Sequence, residues 1–305
     1  MRVGELFCGP GGLAQGAFSV RGENEWLYQG FRHEWATDYD LDACKTYALN
    51  HAGGDMSSVI CGDVRKLDID ALPEVDCLAF GFPCNDYSVV GEQKGVHGEF
   101  GPLYTYGVEY LEKKKPLCFV AENVSGLQSA NGGLAFQKIL QALRQAGYLL
   151  NVHMYSAELY GVPQKRRRIL VVGTRLDSGI FFRVPAPTTP TPLTVRDALI
   201  NEPIPEGTPN HEFTKQAPSV IERLKHIKPG QNAFNADLPD HLKLQVKGAT
   251  ISQIYKRLHP DEPSYTVTGS GGGGTHMYHW DENRALTNRE RARLQGFPDS
   301  YQFVG

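Results

Sequence analysis

The sequence has no Cys-x-x-Cys pair: its six cysteines, Cys8, Cys44, Cys61, Cys77, Cys84 and Cys118, are scattered. That spacing offers neither a disulfide framework nor a zinc site, so no metal is expected. The N-terminus lacks a basic segment followed by an apolar run and a cleavage site, and no apolar stretch approaches the length of a bilayer span. The expectation is a cytoplasmic protein with no membrane partner. Charge of either sign is nearly balanced, at a formal −3, which gives no global signature of polyanion binding and leaves a local basic face open. No internal repeat is evident. What is present is an ordinary globular composition over 305 residues, 41% hydrophobic and 21% charged, enough for one large domain or two.

From Met1 to about Arg175, short apolar runs alternate with helix-compatible stretches. Val3 to Phe7, Glu34 to Asp38, Val59 to Cys61, Val75 to Gly81, Leu117 to Glu122, Leu149 to Ser156 and Ile169 to Thr174 read as strands. Leu13 to Phe18, Leu41 to His51, Leu103 to Lys115 and Leu134 to Ala146 suit amphipathic helices between them. The alternation implies an α/β domain with a mainly parallel sheet covered on both faces, whose ligands bind beyond the carboxyl ends of the strands. After Arg175 the proline-rich "FRVPAPTTPTPLT" cannot continue such a sheet, which puts a boundary near residues 176 to 193. Residues 213 to 257 then carry eight Lys and Arg against three Asp and Glu, so this segment is basic although the protein is not. A solvated surface would read the same way. "SGGGGT" at 270 to 275 suggests a flexible loop, and the stretch from Leu286 a helix started at Thr287 and stopped by Gly296 and Pro298.

Five places could carry chemistry. The turn "CGPGG", residues 8 to 12, leads from a strand into a helix, but its spacing is not that of a pyrophosphate fingerprint. A plain tight turn is the alternative. Asp38 ends the second strand, where a carboxylate can accept ribose hydroxyls, and Asp63 follows the third, where one could accept from an adenine amine. Together they describe a nucleoside pocket without a phosphate. "FGFPCNDYS" presents Cys84 from a proline-stiffened turn as a candidate nucleophile, while Cys44, Cys61, Cys77 and Cys118 are expected to be inert and buried. Downstream, Gly91, Gly95, Gly98 and Gly101 suggest a loop that could close over a substrate. "CFVAENV" ends a strand in Glu122 and Asn123, and "QKRRR" runs into another, so that Arg166 and Arg168 are expected to project together. A solvated basic edge strand is the alternative for that last run.

In combination these motifs resemble the DNA cytosine-5 methyltransferase family of restriction-modification type, through nearly the whole chain and in the family's order. "ELFCGPGGLAQGAF" is similar to the S-adenosylmethionine loop, "GFPCNDYS" to the catalytic Pro-Cys loop, "AENV" to the Glu-Asn-Val motif and "QKRRR" to the Gln-x-Arg-x-Arg motif. "RALTNRERARLQGFPDSY" resembles the motif that follows the target recognition domain. The resemblance implies a Rossmann-like S-adenosylmethionine-dependent methyltransferase domain over residues 1 to 175, a smaller target recognition domain over 176 to 285, and the following motif over 286 to 305.

The resemblance also implies roles. Phe7, Gly9, Gly11 and Gly12 would line the cofactor site; Asp38 would bind ribose, Tyr39 would stack near adenine, Asp63 would take its amine, and Pro83 and Leu103 would complete the pocket. Cys84 would attack C6 of a cytosine flipped out of double-stranded DNA, Glu122 would hold N3 and the exocyclic amine, and Arg166 and Arg168 would hold the base oxygen. Asn123 would support the loop backbone and Ser88 would touch a phosphate. A cognate restriction endonuclease and a prokaryotic, nucleoid-associated location follow from the same likeness.

Two departures stand out. Asn85 and Asp86 follow the cysteine where the family has Gln, and the sequence stops at Gly305, after "GFPDSY", where family members continue into a Gly-Asn-containing motif. Truncation, a separate polypeptide supplying that segment, or weak cofactor binding would each account for the second. An RNA (tRNA) cytosine-5 methyltransferase and a non-catalytic DNA-binding module are the competing functions. A pure binder would need none of Cys84, Glu122, Arg166 and Arg168.

Overall fold

The computed structural model describes residues 1–20, 30–83, 103–244, 252–269 and 274–305. The elements, in chain order, are β1 (Arg2–Leu6), α1 (Gly12–Ser19), β2 (Arg32–Asp38), α2 (Leu41–His51), β3 (Val59–Cys61), β4 (Cys77–Phe80), α3 (Tyr104–Lys114), β5 (Cys118–Val124), α4 (Leu134–Gln145), β6 (Tyr148–Ser156), β7 (Gln164–Lys165), β8 (Arg167–Arg175), α5 (Val195–Leu199), α6 (Pro218–Leu224), β9 (Ser264–Tyr265) and α7 (Asn288–Leu294). They fall into two compact units. The first comprises Met1–Tyr155, Arg167–Ala186 and Phe303–Gly305, and the second Ser156–Arg166 and Pro187–Gln302. The division comes later than Arg175, and the second unit also takes Ser156–Arg166, which the alternating pattern had run together with the sheet.

The first unit is built on a seven-stranded sheet in the order β3-β2-β1-β4-β5-β8-β6. β1 pairs in parallel with β2 and β4, as do β2 with β3 and β4 with β5, while β8 lies antiparallel on β5. The sheet is therefore mainly parallel, and the chain leaves β1 for β2 on one side and returns to β4 on the other. Successive residues of β4 face opposite ways: Leu78 and Phe80 join the large core with Tyr110 and Leu111 of α3 and Ile139 and Leu143 of α4. Cys77 and Ala79 pack instead with Leu13 and Phe18 of α1. In β2, Trp35 enters the first of these cores and Ala36 a third, shared with Cys44, Tyr47 and Ala48 of α2. Helices thus cover both faces, which is why these strands read as near-continuous apolar runs. The close fit has one strict requirement: a Cβ on Gly4 would lie 2.4 Å from the Trp35 ring.

The cysteines divide by position. Cys8, Cys44 and Cys77 are buried and Cys118 is half-buried, but Cys61 is exposed, contrary to the expectation for it, because it closes β3 at the edge of the sheet. The last residues return to α2, where the Val304 amide donates to Thr46 Oγ1 at 3.0 Å.

The second unit has little regular structure, and buried arginines organise it. Arg289, fully buried, donates to the carbonyls of Pro209, Pro298 and Tyr301. α7 begins as its sequence predicts: Thr287 Oγ1 accepts from the Glu290 amide at 3.1 Å and Glu290 accepts from the Thr287 amide at 2.7 Å, a reciprocal cap. Within the basic stretch, Lys225 and Lys243 pair with Glu222 and Asp240. Among the described residues no helix is long and apolar enough to cross a membrane, and no group of three or more His, Cys, Asp and Glu could hold a metal ion.

Candidate functional site

The carboxyl ends of β1 to β4 converge on one cavity of about 430 Å³ in the first unit. That volume is within the range of small-molecule sites, about 300–1,000 Å³. It lies where the chain order reverses beside β1, the position at which open α/β sheets bind their ligands. Phe7 follows β1, Thr37, Asp38 and Tyr39 end β2, Gly62, Asp63, Val64 and Arg65 follow β3, Gly81 and Pro83 follow β4, and Leu103 precedes α3. Six residues picked from the sequence for a cofactor pocket, Phe7, Asp38, Tyr39, Asp63, Pro83 and Leu103, are thus brought together.

The glycines of the first turn act from behind that wall. Phe7 itself has φ +58°, a conformation bulky side chains rarely adopt, and Gly9 and Gly11 follow at +52° and +90°. The turn doubles back so that the Gly9 amide donates to Asp38 Oδ2 at 2.8 Å, while the Asp40 amide donates to Oδ1 at 3.0 Å. These two bonds fix the Asp38 carboxylate and leave further lone pairs open for a hydroxylated ligand. Gly11 caps α1, and Gly12 is its exposed first residue. Tyr39 is 80% exposed at the rim.

Asp63 is held differently. Its Oδ1 accepts from the Arg65 amide at 2.9 Å, and the Arg65 guanidinium reaches both oxygens, Nε to Oδ1 at 3.0 Å and to Oδ2 at 2.9 Å, and the terminal nitrogen to Oδ2 at 2.7 Å. The Arg65 hydrogen bonds hold the Asp63 carboxyl down at about 2. Arg65 was missed in the sequence; the signal was a basic residue two positions beyond an acid, a spacing common on any surface.

Behind the cavity lies a second acid that the sequence did not flag. Glu5, in the middle of β1, is fully buried, and burial pushes its carboxyl up to about 8 against a hydrogen bond from Tyr47 that lowers it. Its Oε2 has no partner among the described residues. Tyr47 also meets His33, whose other ring nitrogen lies 2.8 Å from Ser58 Oγ.

Glu122 and Asn123 end β5, next to the end of β4. Glu122 Oε1 pairs with Arg168 Nε at 2.8 Å, and a Cβ on Gly81, in the cavity wall, would lie 3.5 Å from Glu122 Oε2. Register explains the pair: Glu122 is opposite Leu170, and Arg168 opposite Val124 on the same antiparallel ladder, so the two charged residues are diagonal neighbours. Asn123 is buried and donates through Nδ2 to the Phe82 carbonyl at 3.1 Å, bracing the backbone that leads into Pro83. Arg166 does not share a strand with Arg168: the ladder is interrupted at Arg166, which belongs to the second unit. There the Arg166 carbonyl accepts from the Ala157 amide at 2.9 Å. Cys84, Ser88 and the glycine-rich stretch from Gly91 to Gly101 lie outside the described residues.

The profile of C-5 cytosine-specific DNA methylases matches residues 1–305, and the chain belongs to that family. It is 56% identical over 315 aligned residues to the type II methyltransferase M.BbvI of Brevibacillus brevis, covering 100% of this chain and 83% of that one. It is 39% identical to M.NgoFVII of Neisseria gonorrhoeae, covering 100% and 79%. Among solved structures, one described as a DNA modification methyltransferase of an E. coli prophage superposes with a TM-score of 0.74 at 21% identity, over 100% of this chain and 90% of that one. S. pombe Dnmt2 gives 0.58 at 17%, over 99% and 88%, a likeness of fold. The protein is a DNA (cytosine-5-)-methyltransferase, and its methyl donor is S-adenosylmethionine. The cavity suits that donor: a fixed acceptor at Asp38, apolar walls at Phe7, Val64 and Leu103, and the Glu122 carboxylate behind Gly81.

Proposed function

We propose that this chain is the modification methyltransferase of a restriction system, acting in the cytoplasm on the nucleoid beside a cognate endonuclease. In this reading it takes a cytosine out of duplex DNA and methylates C5 through a covalent Cys84–C6 adduct. C6 is out of reach of a thiolate inside a stacked duplex, so the base must be flipped, at a cost of a few kcal/mol. The observation that carries the reading is the Glu122–Arg168 pair at 2.8 Å, set behind the Gly81 wall of the cavity at the end of the strand that leads to Pro83 and Cys84.

S-adenosylmethionine supplies a methyl group on a sulfonium. Asp38 would hold its ribose, Tyr39 and Asp63 its adenine, and Phe7, Pro83 and Leu103 the walls between, with Gly9, Gly11 and Gly12 shaping the loop behind. The Cys84 thiolate forms a bond to C6, which makes C5 nucleophilic; after C5 is methylated, loss of the C5 proton and cleavage of the C6–S bond restore the ring and the thiolate. Glu122 would hold N3 and the exocyclic amine as charge develops there, and Arg168, with Arg166, the base oxygen. Asn123 would fix the loop and Ser88 would take a phosphate. Residues 176 to 285, with the basic stretch from 213 to 257, would be the target recognition domain, and residues 286 to 305 the motif that organises it. Relatives named as type II methyltransferases, at up to 56% identity over the full chain, support DNA as the polymer.

The test is covalent trapping. The chain is mixed with S-adenosylmethionine and duplex DNA or RNA carrying 5-fluorocytosine, which blocks the elimination. A denaturation-resistant DNA adduct mapped to Cys84, absent from Cys84→Ala, is expected. An adduct on RNA alone, or methyl transfer by the alanine variant, would overturn the reading.

A further inference from the structure

The second unit contains a smaller cavity, of about 120 Å³. Its lining includes Lys165, Lys256, Arg257, His259, Glu262 and Ser264. The short parallel ladder of β7 on β9 builds one side, with Gln164 opposite Ser264 and Lys165 opposite Tyr265. The acid present is already neutralised: Glu262 is bound by Lys165 Nζ at 2.8 Å. Lys256 is not used in this way. Its ammonium rests over the Tyr265 ring at 4.9 Å, with no carboxylate in ion-pair distance among the described residues. His259 Nδ1 accepts from the Asp261 amide at 3.2 Å, which puts the neutral ring's proton on Nε2, a donor.

Two buried donors around this cavity lack partners. Ser264 is 1% exposed, yet its Oγ has no hydrogen-bond partner among the described residues. Arg257 is 3% exposed and spends its terminal nitrogens on the carbonyls of His279, Glu282 and Leu224 and on Asn283, while its Nε is unpartnered. Buried polar groups are rarely left in this state, and a hydroxyl can rotate to meet an incoming oxygen. The cavity exceeds the roughly 30 Å³ share of one water several-fold, and its uncompensated charge is positive, so its chemistry selects an oxyanion over neutral solvent.

We propose that this cavity is a phosphate subsite that holds one backbone phosphate of bound DNA, through Lys256, His259 and the Ser264 hydroxyl. The proposal rests on the reading of the protein as a DNA methyltransferase. It concerns positioning on the duplex and carries no sequence preference, since a phosphate is common to every site.

The experiment follows the anisotropy of a fluorescein-labelled, mixed-sequence 30-base-pair duplex from about 50 to 300 mM KCl. The full chain is compared with Lys256→Gln, Ser264→Ala and, as a control outside the cavity and the basic stretch, Lys138→Gln on the exposed face of α4. Variants are matched for Tm and for S-adenosylmethionine affinity by equilibrium dialysis. The expected result for Lys256→Gln is about tenfold weaker DNA binding and a slope of log K against log salt shallower by about 0.9, the value of one phosphate contact. Ser264→Ala is expected to weaken binding several-fold without changing the slope. Unchanged affinity and slope in Lys256→Gln, with a wild type that still forms the trapped DNA adduct, would overturn the subsite and leave the methyltransferase reading intact. Absence of the adduct in the wild type would count against that reading instead. Calorimetry with inorganic phosphate separates the sources: binding to the wild type and not to Lys256→Gln, with DNA affinity unchanged in the variant, would assign the cavity to free phosphate and overturn its assignment to DNA.

Discussion

Arg65 occupies the acceptor sites of Asp63 from both sides. The Arg65 amide and Nε bond Oδ1 at 2.9 and 3.0 Å, and Nε and the terminal nitrogen bond Oδ2 at 2.9 and 2.7 Å. A carboxylate has about four lone-pair sites, and with the single Nε–H shared between the two oxygens three N–H groups take most of them. An adenine amine approaching Asp63 therefore competes with the guanidinium. Arg65→Ala, which keeps the amide contact, is therefore expected to tighten S-adenosylmethionine binding by a few-fold, and Asp63→Ala to weaken it. Isothermal titration with the cofactor alone reads both. Weaker binding by Arg65→Ala would mean that the guanidinium positions the carboxylate and does not compete for it.

Glu5 gives the fold a pH dependence. Burial raises its carboxyl from an ordinary 4.5 to about 8, the Tyr47 hydrogen bond opposes the rise, and the Asp38 charge adds to it. The folded chain then keeps a proton that the unfolded chain releases above about 4.5. The stabilisation is whole below pH 4.5 and is lost as pH rises through about 8, at up to about 1.4 kcal/mol per pH unit. Glu5→Gln removes this titration. Urea melts from pH 5 to 8.5 should show the wild type losing stability relative to the variant, and parallel curves would refute the buried neutral carboxyl.

Arg168 and Glu122 form a half-sheltered pair, each side chain about a fifth to a quarter exposed, on adjacent antiparallel strands. Preorganised donors of this kind are worth about 10²–10³ in kcat. Arg168→Ala and Glu122→Gln are each expected to lower single-turnover methyl transfer by that factor with cofactor affinity unchanged. The double variant should lose little more than either alone, because the two act on one base. Strictly additive losses would separate their roles.

Much of the first unit was legible in the sequence because its signals are local. Asp40 caps α2 through a bond from the Ala43 amide, and α2 spans Leu41–His51 as its spacing predicts. The buried strands read as apolar runs, and the cavity residues sit at strand ends where parallel sheets place ligands. Legibility failed where the cause is long-range. The interruption of the ladder at Arg166 leaves no mark in "QKRRR", since the residue lies between a two-residue pairing with β9 and a seven-residue pairing with β5. The burial of Glu5 involves Tyr47 of α2, which hydrogen-bonds to it and which no window around "ELF" contains. The second unit is opaque for the same reason: Arg257, in the stretch that a solvated surface would also explain, and Arg289 are core residues, made so by carbonyls distant in the chain.

The position of Asn123 separates loop support from base contact. It is buried, its Nδ2 donates to the Phe82 carbonyl, and its Oδ1 accepts from the Val124 amide at 2.9 Å. Asn123→Ala leaves that carbonyl and that amide without their partners, a cost of about 1–3 kcal/mol for each buried group. Asn123→Asp keeps the acceptor but sets a buried carboxylate oxygen against the Phe82 carbonyl, so it should recover none of the lost stability. Phe82 lies two residues before Cys84, and both variants loosen it, so both should trap 5-fluorocytosine DNA more slowly. Cofactor affinity should stay within about twofold, as Asn123 does not line the cavity. A variant that melts earlier yet traps at the wild-type rate would confine Asn123 to the fold.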